Sequence, residues 1–279
     1  MSAKKQTDAG PVLVDVSNVT LRFGGVTSLD NVSLQQHRGE ILSVIGPNGA
    51  GKTSLFNCLT GVYVPQEGSI TFTSPDGQTH PLVGGKPHDI TQLGLARTFQ
   101  NIRLFNAMTA FENVKIGVEA HQKTGPVGAV LRLPRTRREE RQGDERAFEL
   151  LDFVGLRARA NELSAALPYG GQRRLEIARA LGTQPQLLLL DEPAAGTNPA
   201  EKRDLEALIR RINSEMGVTV LLIEHDMRLV MSLTDRVVVL NFGRVIAEGA
   251  PVDVQRNPAV VEAYLGAPAD GGDGDAAAG

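Results

Sequence analysis

Gly46-Pro47-Asn48-Gly49-Ala50-Gly51-Lys52-Thr53 has the G-x-x-x-x-G-K-[ST] spacing of a phosphate-binding loop. Its glycines let backbone N–H groups close around phosphate oxygens, and the start of the next helix adds partial positive charge. In that chemistry Lys52 reaches the β- and γ-phosphates of a nucleoside triphosphate, and the Thr53 hydroxyl ligates Mg²⁺. Ser54 extends the same set of nucleotide contacts. The flanks fit: Ile41–Ile45 reads as a buried strand, and Ser54-Leu55-Phe56-Asn57-Cys58-Leu59 has helical spacing. A ligand-free Gly-rich turn is the plain alternative, and the strand–turn–helix context argues against it.

A second constellation lies downstream. Leu187–Leu190 reads as a strand buried on both faces, and Asp191 and Glu192 stand at its carboxyl end. Open parallel sheets bind ligands beyond that end. There Asp191 would hold Mg²⁺ through water, and Glu192 would polarise the water that attacks the γ-phosphate. His225 ends the next apolar strand and falls on the same edge, placed to donate a hydrogen bond to the γ-phosphate. A structural histidine, with Asp226 capping the following helix, is the competing reading.

Gln100, at the border of a helical region, either offers a neutral amide to Mg²⁺ or water or is an ordinary polar loop residue, the reading that its position alone favours. Tyr169-Gly170-Gly171-Gln172 precedes a helix and reads as a second anion site, with a plain Gly-rich helix entry as the alternative. One chain with two such sites suggests that the second serves another molecule's nucleotide. Phe23, just before Gly24-Gly25, is either an adenine-stacking aromatic or a core strand residue.

The elements that must position these groups follow from periodicity. Val12–Val16, Val19–Phe23, Asn31–Leu34 and Gly68–Phe72 read as antiparallel strands around the phosphate-loop strand. Apolar residues recur at helical spacing between about 101 and 180, and β/α alternation resumes afterwards. This predicts an α/β core with a parallel sheet and an inserted all-helical subdomain, spanning residues 12–265. Residues 1–11 and 266–279 are polar or low in complexity and are expected to be disordered.

Bulk properties agree. The 279 residues carry a net charge of -3, which implies no general attraction to nucleic acid. The stretch 132–146 has four acids among its arginines and no aromatic, so it reads as a solvated helix face or exposed loop. No apolar run approaches a membrane span, and the first residues lack the apolar segment of a secretory signal. The single cysteine, Cys58, excludes a disulfide framework and reads as a small core residue in a reducing compartment.

Together these residues resemble the ATP-binding subunit of an ABC transporter. The resemblance implies a P-loop NTPase core with a mixed sheet. It assigns 46–53 to the Walker A motif, Gln100 to the Q-loop, and 187–192 to Walker B. Residues 169–172 become the heart of the signature, 194–199 the D-loop, His225 the switch histidine, and Phe23 the adenine stack. It also implies two cassettes head to tail, ATP between one chain's phosphate loop and the other's signature helix, and membrane permeases driven by closure and reopening. Arg97–Phe105, Tyr169–Arg179, Asp191–Gly196 and Ala263–Gly266 look like the branched-chain amino-acid importer ATPases. In that setting a solute-binding protein acts indirectly, and the chain sits on the cytoplasmic side of the plasma membrane. Other ABC systems, lipopolysaccharide export among them, and soluble ABC ATPases are the alternatives. Departures from the general pattern are Pro168-Tyr169 where Leu-Ser is usual, and Thr197 and Asn198 in the D-loop.

Overall fold

The computed structural model describes residues 10–120 and 134–265. The chain ends expected to be disordered, and residues 121–133, lie essentially outside the described residues.

Two sheets organise the chain. Strands β1 (Val12–Phe23), β2 (Val26–His37), β4 (Glu67–Thr73) and β5 (Thr79–Pro81) form an antiparallel sheet in the order β2-β1-β4-β5. The second sheet contains β3 (Ile41–Ile45), β6 (Leu95–Arg97), β7 (Leu187–Asp191), β8 (Thr219–Ile223), β9 (Arg236–Asn241) and β10 (Arg244–Gly249). Its order is β10-β9-β3-β8-β7-β6. All its pairings are parallel except the β9–β10 hairpin. The sheet is therefore mixed, as expected.

Apolar alternation fails at Ser17-Asn18, which predicts two strands where the structure has one. The strand continues through this point because Asn18 adopts a left-handed φ of 51° and its N–H donates to Ser33 Oγ. A register irregularity absorbs the extra residue. The short strands β5 and β6 were missed, being only three residues each.

Period-two burial in the parallel sheet builds two cores. Leu187, Leu189, Leu221 and Ile223 face one side, together with Leu42, Val44, Phe56 and the apolar face of the antiparallel sheet. Leu188, Leu190, Val220 and Leu222 face the other, against the helices. Each fully buried leucine contributes about 1.5–3 kcal/mol, which explains why four in a row suit a central strand.

Helix α2 (Pro87–Gln92) precedes β6, and between β6 and β7 the described chain is mainly helical, with α3 (Ala110–Glu119), α4 (Pro134–Phe153) and α5 (Tyr169–Gly182). Arg141–Glu145 and Arg146–Glu149 pair along the solvated face of α4. After β7 come α6 (Pro199–Met216), α7 (Met227–Leu233), α8 (Pro251–Gln255) and α9 (Pro258–Leu265). No helix among the described residues is long and apolar enough to cross a membrane.

Cys58 lies inside α1 (Lys52–Leu59) and is 1% exposed. Burial pushes its thiol up to about 11. Iodoacetamide at pH 8 should therefore leave the native chain unmodified and label it fully in denaturant, as mass spectrometry would read. Rapid labelling of the native chain would show that α1 opens.

Candidate active site

The phosphate-binding loop links β3 to α1, and its shape requires glycine at two points. Gly46 has φ 149°, and a Cβ there would lie 2.1 Å from the Leu240 carbonyl oxygen. Gly51 has φ 102°, and a Cβ would lie 2.6 Å from the Ser28 oxygen. The loop is thus seated between the β9–β10 hairpin and β2. Ser28 and Ser54 are joined through their hydroxyls at 2.7 Å.

Helix α1 has no side-chain cap, so its first-turn N–H groups remain available to an anion. Lys52 Nζ lies within the loop, donating to the carbonyls of Gly46 at 2.7 Å and Pro47 at 2.9 Å. Burial lowers the Lys52 pKa, and the Glu192 and Asp191 carboxylates oppose that shift. A bound polyphosphate would favour the ammonium in the same direction as those carboxylates.

One cleft is lined by Ser28, residues 48–54, Glu192 and His225. The parallel register explains this convergence: Asp191 sits opposite Ile223, so the residues just beyond each strand emerge on one edge. Glu192 has a left-handed φ of 46°, and its N–H donates to the Ile223 carbonyl at 2.9 Å. This turn aims its carboxylate at two donors. His225 Nε2 lies 2.6 Å from one oxygen, and Gln100 Nε2 donates to the other at 2.8 Å. A carboxylate only accepts, so the His225 Nε2 carries the hydrogen in this contact.

Asp191 is engaged as well. Arg97 donates to one of its oxygens at 2.9 Å, and both side chains are nearly buried. Arg97 also donates to Asn57 on α1 at 2.7 Å, so the pair ties the β7 end to the phosphate-loop helix. Among the described residues, no group of three His, Cys, Asp or Glu is placed to hold a metal ion. The nearby donors Thr53, Gln100 and Asp191 are all hard oxygens, which fits Mg²⁺ sharing its coordination with substrate phosphates and water.

Phe23 ends β1 and is 46% exposed, with its ring edge-on to Tyr63 at 5.0 Å between centroids. The core-residue reading of Phe23 therefore fails. The ring stands at the β1–β2 tip, where β2 soon reaches the phosphate loop through Ser28.

The Tyr169–Gln172 segment is the first turn of α5 rather than a stretch preceding it. Gln172 N–H is satisfied by the Pro168 carbonyl at 2.9 Å, and no side chain caps the helix. The remaining first-turn donors are Tyr169, Gly170 and Gly171. None of residues 169–172 lines the cleft that holds the phosphate loop, Glu192 and His225. The D-loop departures are locally accounted for. Asn198 caps α6 by accepting from Ala200 and Glu201 N–H, and the Glu201 carboxylate accepts from Asn198 N–H. Asn and Asp are near-equal caps, each stabilising a helix by about 1 kcal/mol. Thr197 Oγ1 donates to the Ala194 carbonyl at 2.7 Å.

Three supporting elements escaped the sequence reading. Arg97, which pairs with Asp191, is the first. Arg173 and Glu176 form a fully buried ion pair on α5 that grips the Gln100 segment: Arg173 donates to the Phe99 and Gln100 carbonyls at 2.6 and 2.8 Å. Glu224, 4% exposed, accepts from Ala194 N–H at 2.9 Å and His225 N–H at 3.0 Å. The available signal was a charged residue at an otherwise apolar position, as with Glu224 after Thr219–Ile223 and Glu176 between Leu175 and Ile177.

Comparison with known proteins agrees with this architecture. The ABC transporter family profile matches residues 29–195, and that of the branched-chain amino acid ATP-binding cassette transporter matches 244–270. The high-affinity branched-chain amino acid transport ATP-binding protein BraF of Pseudomonas aeruginosa is 48% identical over 255 residues, covering 91% of this chain and 98% of BraF. LivG of Escherichia coli, which carries the same description, is 45% identical over 254 residues, with 91% and 98% covered. A crystal structure of a nucleotide-free ATP-binding cassette from an ABC transporter superposes with a TM-score of 0.77 at 31% identity, over 92% of this chain and all of that one. The chain, with its phosphate loop, paired acids and histidine on one sheet edge, belongs to the ABC transporter family as an ATP-binding cassette.

Proposed function

We propose that this chain is one of two cassettes that bind and hydrolyse ATP to drive uptake of branched-chain amino acids through partner membrane permeases. The observation that supports the two-cassette reading is that no residue of the α5 start lines the phosphate-loop cleft, although Tyr169 lies against Gly196 of the loop that follows Glu192. One chain presents the loop, Glu192, His225 and Gln100 together, and presents the uncapped Tyr169-Gly170-Gly171 turn outside that cleft. A head-to-tail pair brings the second turn to the first chain's γ-phosphate. The substrate class rests on the likeness to BraF and LivG and on the match at 244–270.

In this reading the first-turn N–H groups of α1 and Lys52 bind the phosphates, Phe23 stacks on adenine, and Glu192 polarises the attacking water. His225 and Gln100 hold both Glu192 oxygens, fixing the carboxylate. Thr53, Gln100 and Asp191 would hold Mg²⁺, Asp191 through water. Bound Mg²⁺ neutralises phosphate charge and orients the group transferred. The chain would sit on the cytoplasmic face of the plasma membrane through its permeases, with a solute-binding protein acting on the far side and no nucleic acid involved.

Lys52→Ala tests the nucleotide site. Loss of one charge-assisted contact, worth about 1.5–3 kcal/mol, should weaken ATP binding by about tenfold or more. Calorimetry on the full-length variant would read this, and wild-type affinity would remove the assignment. Deletion of the gene should abolish high-affinity uptake of leucine, isoleucine and valine. Unchanged uptake would sink the substrate class while leaving the ATP site standing.

A further inference from the structure

Two loops leave the parallel sheet side by side at the cleft. One follows β7 and carries Glu192, then residues 194–198. The other follows β8 and carries His225 and Asp226. Backbone amides at such strand ends lack ladder partners and need acceptors. Here both loops share one acceptor. Glu224 Oε1 accepts from Ala194 N–H at 2.9 Å, and Oε2 accepts from His225 N–H at 3.0 Å and Asp226 N–H at 3.4 Å. Glu224 is 4% exposed and Ala194 3% exposed, so water cannot readily replace these bonds. Burial raises the Glu224 pKa while the three N–H donors oppose that shift, and the Glu192 charge adds to the rise. A buried carboxylate so close to another acid is costly, and an apolar residue would pack there more cheaply.

Three neighbouring contacts define what this carboxylate controls. Glu192 has a left-handed backbone, and the Ala195 N–H returns to its carbonyl at 3.1 Å, so Ala194 lies within the turn that aims it. His225 Nε2 meets the Glu192 carboxylate at 2.6 Å. Gly196, two residues past Ala194, lies against the Tyr169 ring: a Cβ at Gly196 would be 3.5 Å from it. Tyr169 opens α5. A parallel tie outside the cleft, Lys202 Nζ to Asp226 Oδ2 at 2.7 Å, joins α6 to the second loop.

We propose that Glu224 is a positioning residue for ATP hydrolysis: it locks the Glu192 turn to the His225 segment and couples both to the 194–198 loop lying on Tyr169. The phosphate loop is not part of this tie, so nucleotide binding and turnover separate. The inference rests on the roles proposed above for Glu192 and His225.

The experiment measures ATP affinity, kcat, the pH profile of kcat and thermal midpoint for full-length Glu224→Gln and Glu224→Ala, with Glu192→Gln in parallel. Gln keeps one acceptor and presents an NH₂ group to the other loop, so it cannot hold both. Misplacing a reacting group by about 1 Å costs up to about 100-fold, so kcat should fall by about tenfold or more in both variants. ATP affinity should stay within about twofold, since no phosphate contact is lost. The kcat pH profile should shift, because the Glu192–His225 contact loosens. If Glu224→Ala does not fold, the isosteric Gln variant decides. A folded Glu224→Gln with wild-type kcat overturns the inference, as does a fall in kcat matched by loss of ATP affinity. If Glu192→Gln itself retains turnover, the Glu192 assignment fails instead, and the Glu224 variants report which reading was at fault.

Discussion

Glu192→Gln should bind ATP as tightly as the wild type yet turn over at least about 100-fold more slowly, the usual range for loss of a general base. The carboxylate sits between two donors, His225 Nε2 and Gln100 Nε2, at 2.6 and 2.8 Å. A glutamine side chain has the same shape but accepts on one side only. His225 accommodates this by moving its hydrogen to Nδ1, so that Nε2 accepts from the new amide. The cleft therefore keeps its geometry and the phosphate loop keeps its ligand, while no group of sufficient basicity faces the attacking water. Under the two-cassette reading ATP then holds the pair closed, and an ATP-dependent dimer should accumulate on size-exclusion chromatography. Hydrolysis at the wild-type rate in the assembled transporter would remove Glu192 from the role of base.

How much of this site was legible in sequence follows from how its parts are joined. Residues 46–54 are contiguous, and their chemistry is local, so motif and flanking periodicity sufficed. Glu192 and His225 are 33 residues apart, yet each sits just past a buried strand. Parallel neighbours deliver such residues to one edge without any knowledge of packing. The pairs that hold the site were not visible in this way. Arg97 meets Asp191 across two strands, Arg173 meets the Gln100 segment from another element, and Glu224 meets Ala194 across a strand end. Each depends on the burial of a charged side chain, and a charged letter in sequence reads by default as solvated. Phe23 had two readings that only exposure could separate. Asn198 looked like a departure within a motif, but its backbone partners identify it as a helix cap.

Arg173→Ala should be the most destabilising single change argued for this chain, at about 3–5 kcal/mol, because it leaves a buried carboxylate without its counter-charge. Arg173 and Glu176 are each 1% exposed and 2.9 Å apart. Arg173 also satisfies the Phe99 and Gln100 carbonyls, and Glu176 accepts from Arg103 N–H at 3.1 Å and Phe99 N–H at 3.4 Å. Burial already holds the Glu176 pKa above its ordinary value of 4.5, opposed by the Arg103 N–H and then by Arg173. Removing Arg173 raises it further. A carboxyl whose folded pKa is raised stabilises fully below its unfolded pKa and loses that stability as pH rises through the folded value. The deficit of Arg173→Ala should therefore be larger at pH 8 than near pH 5, as denaturant midpoints against wild type would show. A pH-independent deficit would mean that Glu176 is not the group left stranded. Lysine should not rescue, since a single ammonium cannot serve two carbonyls and a carboxylate in the plane of a guanidinium. The double change Arg173→Met with Glu176→Leu removes both charges and should recover part of the stability, since the Phe99 and Gln100 carbonyls and the Phe99 and Arg103 N–H groups still lose their partners. It should not recover turnover, because the Phe99-Gln100 backbone is then unheld and the Gln100 amide no longer fixes the Glu192 oxygen. Recovery of both would reduce the buried pair to packing, whereas recovery of stability alone assigns it to aiming Gln100.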